Sequence, residues 1–151
     1  GYMDVDLATD LSHLVDAYKL LQKDEVDIVN GSRLLQGSRV INRSIIRDIT
    51  SRGFNFLLKK ALNVNISDGM CGFKFLTKTA YEEVEKTGLE NNEWFFCTEL
   101  LVKAEWLGMR VLEIPVTWTD DRDSRVEMFK TIMKYYREIR RLQSQIVQKT
   151  I

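Results

Sequence analysis

Apolar and polar positions along this chain follow two periods in turn, and the switches between them mark its elements. "YMDV" at 2–5 reads as a short buried strand. From Asp10, a residue suited to an N-cap, Leu11, Leu14, Val15, Tyr18 and Leu21 recur at helical spacing to about Gln22. "DIVNGSR" at 27–33 is a second strand that runs into the loop signal Asn30-Gly31-Ser32. Residues 36–42 are mostly polar and show no clear period. A helix over 43–62 follows, apolar at Ile46, Ile49, Phe54, Leu57, Leu58 and Leu62. In "ISDGMCGFKFLT" (66–77) a glycine-bearing loop feeds a strand at 72–76. Thr77 caps a helix over 78–87 that stops at Gly88, and another helix spans 95–107 and stops at Gly108. "MRVLEIPVTW" (109–118) has strand character, and the single proline, Pro115, marks an edge strand or a strand end. After "TDDRDS" one long helix fills 124–148.

Strands that alternate with helices predict an α/β fold with a mixed, mostly parallel sheet and flanking helices. Only four strands are legible, fewer than a doubly wound sheet normally has, and no Gly-rich nucleotide loop is visible. The expected division is a sheet-bearing part over 1–123 and a basic amphipathic helix over 124–151.

Composition changes this picture in two places. Lys plus Arg and Asp plus Glu balance at 22 each, so overall charge points to no partner, and no nucleic acid is expected. From Arg125 to the end, however, seven basic residues face two glutamates. An amphipathic helix of that kind suits a membrane surface, with packing onto the domain and helix pairing as alternatives. No apolar run approaches the length of a membrane span. Cys71 and Cys97 form no disulfide framework, and with His13 as the lone histidine no structural zinc site is expected.

Candidate chemistry begins at Asp4-Val5-Asp6. Residues i and i+2 of a strand share a face, so both carboxylates can aim at one point, at the sheet edge where open α/β folds bind ligands. Like charges so close repel unless a cation or proton lies between them. Oxygen donors without His or Cys suit Mg²⁺ or Mn²⁺ bridged to substrate phosphates. The plainer alternative is a strand-end Asp4 and a turn-forming Asp6.

Four segments shift that balance: "YMDVDLATDLSHL", "NGSRLLQGSRVINRSIIRDITSRGFNFLLK", "ISDGMCGFKFLTK" and "WFFCTELLVKAEWLGMRVLEIPVTWTDDRDSRV". In order and spacing they resemble the second half of the family 2 inverting glycosyltransferases with a GT-A (Rossmann-like) fold. More narrowly, they resemble the enzymes that transfer hexose to a polyprenyl or dolichyl phosphate. The resemblance covers roughly 1–126, and it implies that the nucleotide-binding half of the domain is absent from this sequence. The fragment alone is then expected to be inactive, with a sheet edge exposed where strands would pair.

The resemblance also implies roles. Asp6 binds the divalent cation, and Asp4 supports it or contacts the sugar nucleotide, UDP-glucose or GDP-mannose. Arg33 and Arg47, with Ser51 beside them, lie near the acceptor phosphate; otherwise they are solvated surface charges. Asp68 faces the donor sugar or caps a turn. Glu99 lies near the sugar site or faces solvent. Arg122 and Arg125 occupy a loop that closes over the diphosphate. Ala8 stands where mannosyl members carry Gln, and Cys71-Gly72-Phe73-Lys74 looks more like the glucosyl branch. A phosphate monoester acceptor is already anionic, so no general base is required; a sugar hydroxyl would need one, with Asp68 or Glu99 the candidates. The expected setting is the cytoplasmic face of a membrane. The other class of reading is a non-catalytic module that binds a partner or membrane, and the oligomeric state stays open.

Overall fold

The computed structural model describes residues 1–120 and 128–149. Among them are six strands and five helices: β1 (Tyr2–Met3), α1 (His13–Leu21), β2 (Ile28–Ser32), β3 (Arg39–Ile41), α2 (Ile45–Leu62), β4 (Phe73–Leu76), α3 (Lys78–Glu85), α4 (Phe96–Trp106), β5 (Val111–Pro115), β6 (Thr117–Thr119) and α5 (Met128–Lys149). The main sheet has the order β1-β4-β2-β5. β4 is antiparallel to both its neighbours, and β2 is parallel to β5, so β1, β2 and β5 run one way and β4 runs against them. The expected α/β class with its mixed sheet is therefore present.

β2 shows why the sheet is central. All five of its residues are buried. Its alternation sends Ile28 into a core with α2, α3, α4 and α5, and Val29 into a second core with Ala17 of α1, Phe73 and Trp118.

Two strand expectations need correction. The stretch 36–42 contains β3, and 109–118 is two strands rather than one. β5 pairs with β2 as far as Pro115, and the chain then crosses to pair with β3 through β6. Pro115 has no N–H to extend the first ladder, and Val116 O accepts from Arg39 N (3.0 Å), which opens the second. β3 escaped notice because its three residues have an exposed, half-buried, exposed pattern with a single apolar inward position.

Helix ends follow local chemistry. Ser44 caps α2 by accepting from Arg47 N, and Asn63 ends it in the left-handed region (φ 53°). Thr77 caps α3 in the same way, as expected. At α1 the cap position falls to Ser12, and Asp10 instead forms the turn before it, its Oδ1 accepting from Ser12 N (2.9 Å).

α5 departs from the membrane-surface expectation over part of its length. Ile139 and Leu142 are buried in the core, and Tyr135 packs against Phe54 and Phe95. Ile132, Met133 and Tyr136 remain exposed. The start of the expected helix, 124–127, lies outside the described residues. Among the described residues no helix is long and apolar enough to cross a membrane.

Candidate active site

The topology brings several chain segments to one edge of the sheet. Asp4 follows β1, Arg33 follows β2 and Asp120 follows β6, while the loop 66–72 enters β4, which runs the opposite way. These segments, with one face of α2 and part of α5, line a cleft of about 480 Å³. Asp4, Asp6, Arg33, Arg47 and Ser51, five of the residues singled out from the sequence, line it together. So do Arg43, Asn55, Trp94, Trp118, Asp120 and Tyr135.

The carboxylate wall is built by a turn. Asp4 N donates to Gly72 O (2.9 Å), Leu7 N donates to Asp4 O (3.2 Å), and Ala8 N donates to Asp6 Oδ1 (3.0 Å). Leu7 adopts a positive φ of 54°, unusual for a residue with a branched side chain. Gly72 lies so close beneath Asp4 that a Cβ there would overlap the carboxylate. Burial, and then the charge of Asp6, raise the Asp4 pKa above its ordinary value, with Lys74 and Arg33 opposing. Two like charges at the mouth of a cleft, one of them already unfavourably ionised, form a donor set that a hard divalent cation would relieve. No group of three or more His, Cys, Asp or Glu side chains is arranged for a metal among the described residues. A cation held by these two carboxylates alone would need its remaining ligands from water or a bound substrate.

Arg33 and Asp68 form the buried hinge of the site. Arg33 donates from Nε (2.7 Å), Nη2 (3.0 Å) and its backbone N (3.1 Å) to the Asp68 carboxylate. Its guanidinium also lies over the Trp118 ring, 4.7 Å from the centroid. Burial pushes Asp68 upward, but the charge and hydrogen bonds of Arg33 prevail and hold it below the usual carboxylate range. Asp68 itself is fully buried and does not line the cleft. Its loop is pinned by Asn30 Nδ2 to Asp68 O (3.1 Å), Gly69 N to Asn55 Oδ1 (2.9 Å), Thr98 Oγ1 to Gly69 O (3.0 Å) and Ser67 N to Glu113 Oε2 (2.8 Å). Cys71 in the same loop is buried, and burial with the nearby Asp68 charge pushes its thiol up to about 12, an unreactive state.

α2 lines the same cleft. Arg47, Ser51 and Asn55 recur every four residues of the helix and so share a face, and Arg43, which precedes the cap Ser44, reaches that face. Arg43 donates to Ser51 Oγ and to Arg47 O. Asp120 lies 3.6 Å from Arg43 Nη1 and 3.7 Å from Arg47 Nη1, and Trp118 Nε1 donates to its Oδ1 (3.0 Å). Sequence reasoning passed over Arg43, Asn55 and Asp120. The i, i+4 spacing of Arg47 and Ser51 along α2 is the signal that could find Asn55.

Glu99 is not part of this cleft. It is fully buried between Lys103 (2.9 Å) and Arg141 (3.0 Å), and it accepts from Asn91 N (2.9 Å). Burial opposes its ionisation, yet these partners hold its pKa below the ordinary value. It ties α4 to α5 and faces neither solvent nor the cleft. Arg122 and Arg125 lie outside the described residues.

No protein-family profile matches the chain. Individual relatives do. Over 87% of its length the chain is 37% identical to glycosyltransferase AglD of Haloferax volcanii, of which it covers 21%. It is 30% identical over 93% of its length to a dolichyl-phosphate beta-glucosyltransferase of Dictyostelium discoideum, and 33% identical over 91% to one of Drosophila melanogaster, covering 44% of each. The chain thus spans about a fifth to less than half of the length of these relatives. The resemblance read from the four segments is borne out by them.

Proposed function

We propose that this chain, a homologue of the dolichyl-phosphate glycosyltransferases along most of its length, is part of an enzyme that transfers glucose from a nucleotide sugar to a polyprenyl phosphate. One observation carries the reading: a carboxylate pair and an arginine-serine group line a single cleft. The carboxylate wall suits the cation-bearing diphosphate of a donor. The arginine wall suits the phosphate of an acceptor, because guanidinium forks match phosphate oxygens.

In this reading Asp6, with Asp4, holds a divalent cation, Mg²⁺ or Mn²⁺. When bound, that cation neutralises charge on the departing nucleoside diphosphate. The chain's own residues do the positioning. Arg47 and Ser51 hold the acceptor phosphate, and Arg33, fixed on Asp68 and Trp118, sets the charge at the centre of the cleft. A phosphate oxygen attacks the anomeric carbon as the bond to the diphosphate breaks, so a single displacement inverts that carbon. Alignment and charge neutralisation supply the rate acceleration.

The geometry favours a phosphate acceptor over a sugar hydroxyl. A hydroxyl requires a base. The two candidates, Asp68 and Glu99, are committed to buried ion pairs away from the cleft lining; of the carboxylates that do line it, Asp120 faces Arg43 and Arg47, and Asp4 and Asp6 are assigned to the cation. The membrane-face setting is part of the proposal. It is supported by Ile45, Ile46, Ile49 and Phe56, which α2 leaves exposed, and by Ile132, Met133 and Tyr136 on α5. These would meet lipid while the polar face of α2 meets the phosphate.

The test is binding to the full-length protein. UDP-glucose should bind wild type only with Mg²⁺ or Mn²⁺, and Asp6→Asn should lose that metal-dependent binding. Metal-independent binding, or none, would return the chain to the reading of a non-catalytic module.

A further inference from the structure

Arg43 stands apart from the other arginines of the cleft. Its side chain is only 8% exposed, yet its Nε donates no hydrogen bond and lies 3.7 Å from Asp48 Oδ1. Across from it, Asp120 is 10% exposed, and its Oδ2 accepts no hydrogen bond either. Asp120 therefore serves two guanidinium groups, Arg43 and Arg47, through charge contacts of 3.6 and 3.7 Å, both too long for hydrogen bonds. Buried charged groups with unused bonding capacity are costly, and the cost falls when a better-matched partner takes their place. Arg43 is also crowded: burial, and then the charge of Arg33, hold its pKa below the ordinary value. Arg43 Nε and Asp120 Oδ2 thus each keep bonding capacity in reserve, and both residues line the cleft.

We propose that Arg43 is a further phosphate-binding residue of the cleft, and that Asp120 is an internal anion that phosphate displaces from Arg43 and Arg47. The inference rests on the reading of the cleft as a phosphate site and deepens it. A tetrahedral phosphate presents oxygens in several directions and can meet Arg43, Arg47 and Ser51 together, as a single planar carboxylate cannot. Displacement of Asp120 also frees its contact with Trp118 Nε1, so binding should register at an indole that lines the cleft.

The experiment uses the full-length protein and its tryptophan fluorescence. Farnesyl phosphate, farnesol, UDP and inorganic phosphate are titrated into wild type, Arg43→Gln, Arg43→Lys and Asp120→Asn, with thermal melting as the check on folding. Arg43→Gln should weaken binding of a phosphate ligand roughly tenfold or more, and Arg43→Lys should restore part of it. Asp120→Asn should tighten the same binding, the opposite sign to that of a merely structural residue. Farnesol should bind wild type and Arg43→Gln alike. A loss confined to farnesyl phosphate assigns the lipid acceptor, and one confined to UDP assigns the donor diphosphate; either supports Arg43 as a ligand. Wild-type affinity for both in a folded Arg43→Gln would overturn its role, and weakened binding in a folded Asp120→Asn would overturn the exchange. If wild type binds none of the phosphates, the reading of the cleft fails, and the inference with it.

Discussion

At the scale of single residues, the site depends on charges whose partners are fixed by burial. Asp68 exists to hold Arg33. Asp68→Asn leaves a nearly buried guanidinium without its counter-charge, a loss of about 3–5 kcal/mol that denaturant unfolding would measure. The pH dependence follows from the direction of the shift. The folded pKa of Asp68 is depressed, so its contribution is complete above the unfolded value of about 4 and is lost as pH falls through the folded value. Wild type should therefore lose stability on acidification below about pH 4, and Asp68→Asn should lose less across that window. Gly72 gives a second prediction. Any Cβ there displaces the Asp4 carboxylate, so Gly72→Ala should weaken divalent-cation binding at least tenfold in a calorimetric titration while the protein still folds. Asp4, Asp6, Arg33, Arg47 and Ser51 were legible because carboxylate spacing and the family-like segments single them out. Asp68 was legible as important, but its role was not. Only three dimensions show that its oxygens are taken by Arg33, whose number lies 35 positions away.

At the scale of elements, α2 and α5 line part of the cleft beside the segments that follow the strands. The helices were readable from their periods, because long amphipathic stretches outvote local ambiguity. β3 and the division between β5 and β6 were not readable, because three-residue strands hold too few positions to show a period of two. The stripe on α5 was seen, but a stripe alone does not say what covers it. Here Ile139 and Leu142 meet protein, and the Glu99–Arg141 pair locks the helix to α4. Arg141→Met should loosen this lock and leave Glu99 with Lys103 alone. Hydrogen exchange along α5 should quicken before exchange in the main sheet does. Equal protection in variant and wild type would show that the apolar contacts suffice without the ion pair.

At the scale of the whole molecule, the architecture gathers a carboxylate pair and an arginine-serine group along one cleft. Under the proposed function they divide the labour, the carboxylates taking a cation and diphosphate and the arginines a phosphate. The chain covers 21% and 44% of the length of two of its relatives. The account's central claim is glycosyl transfer to a lipid phosphate. Its most direct test offers radiolabelled UDP-glucose and GDP-mannose, with a polyprenyl phosphate and Mg²⁺ or Mn²⁺, to the full-length protein in membranes, beside Asp6→Asn. The account predicts metal-dependent label from UDP-glucose in the lipid fraction, lost in the variant. No lipid label from UDP-glucose, or equal label in Asp6→Asn, would contradict it.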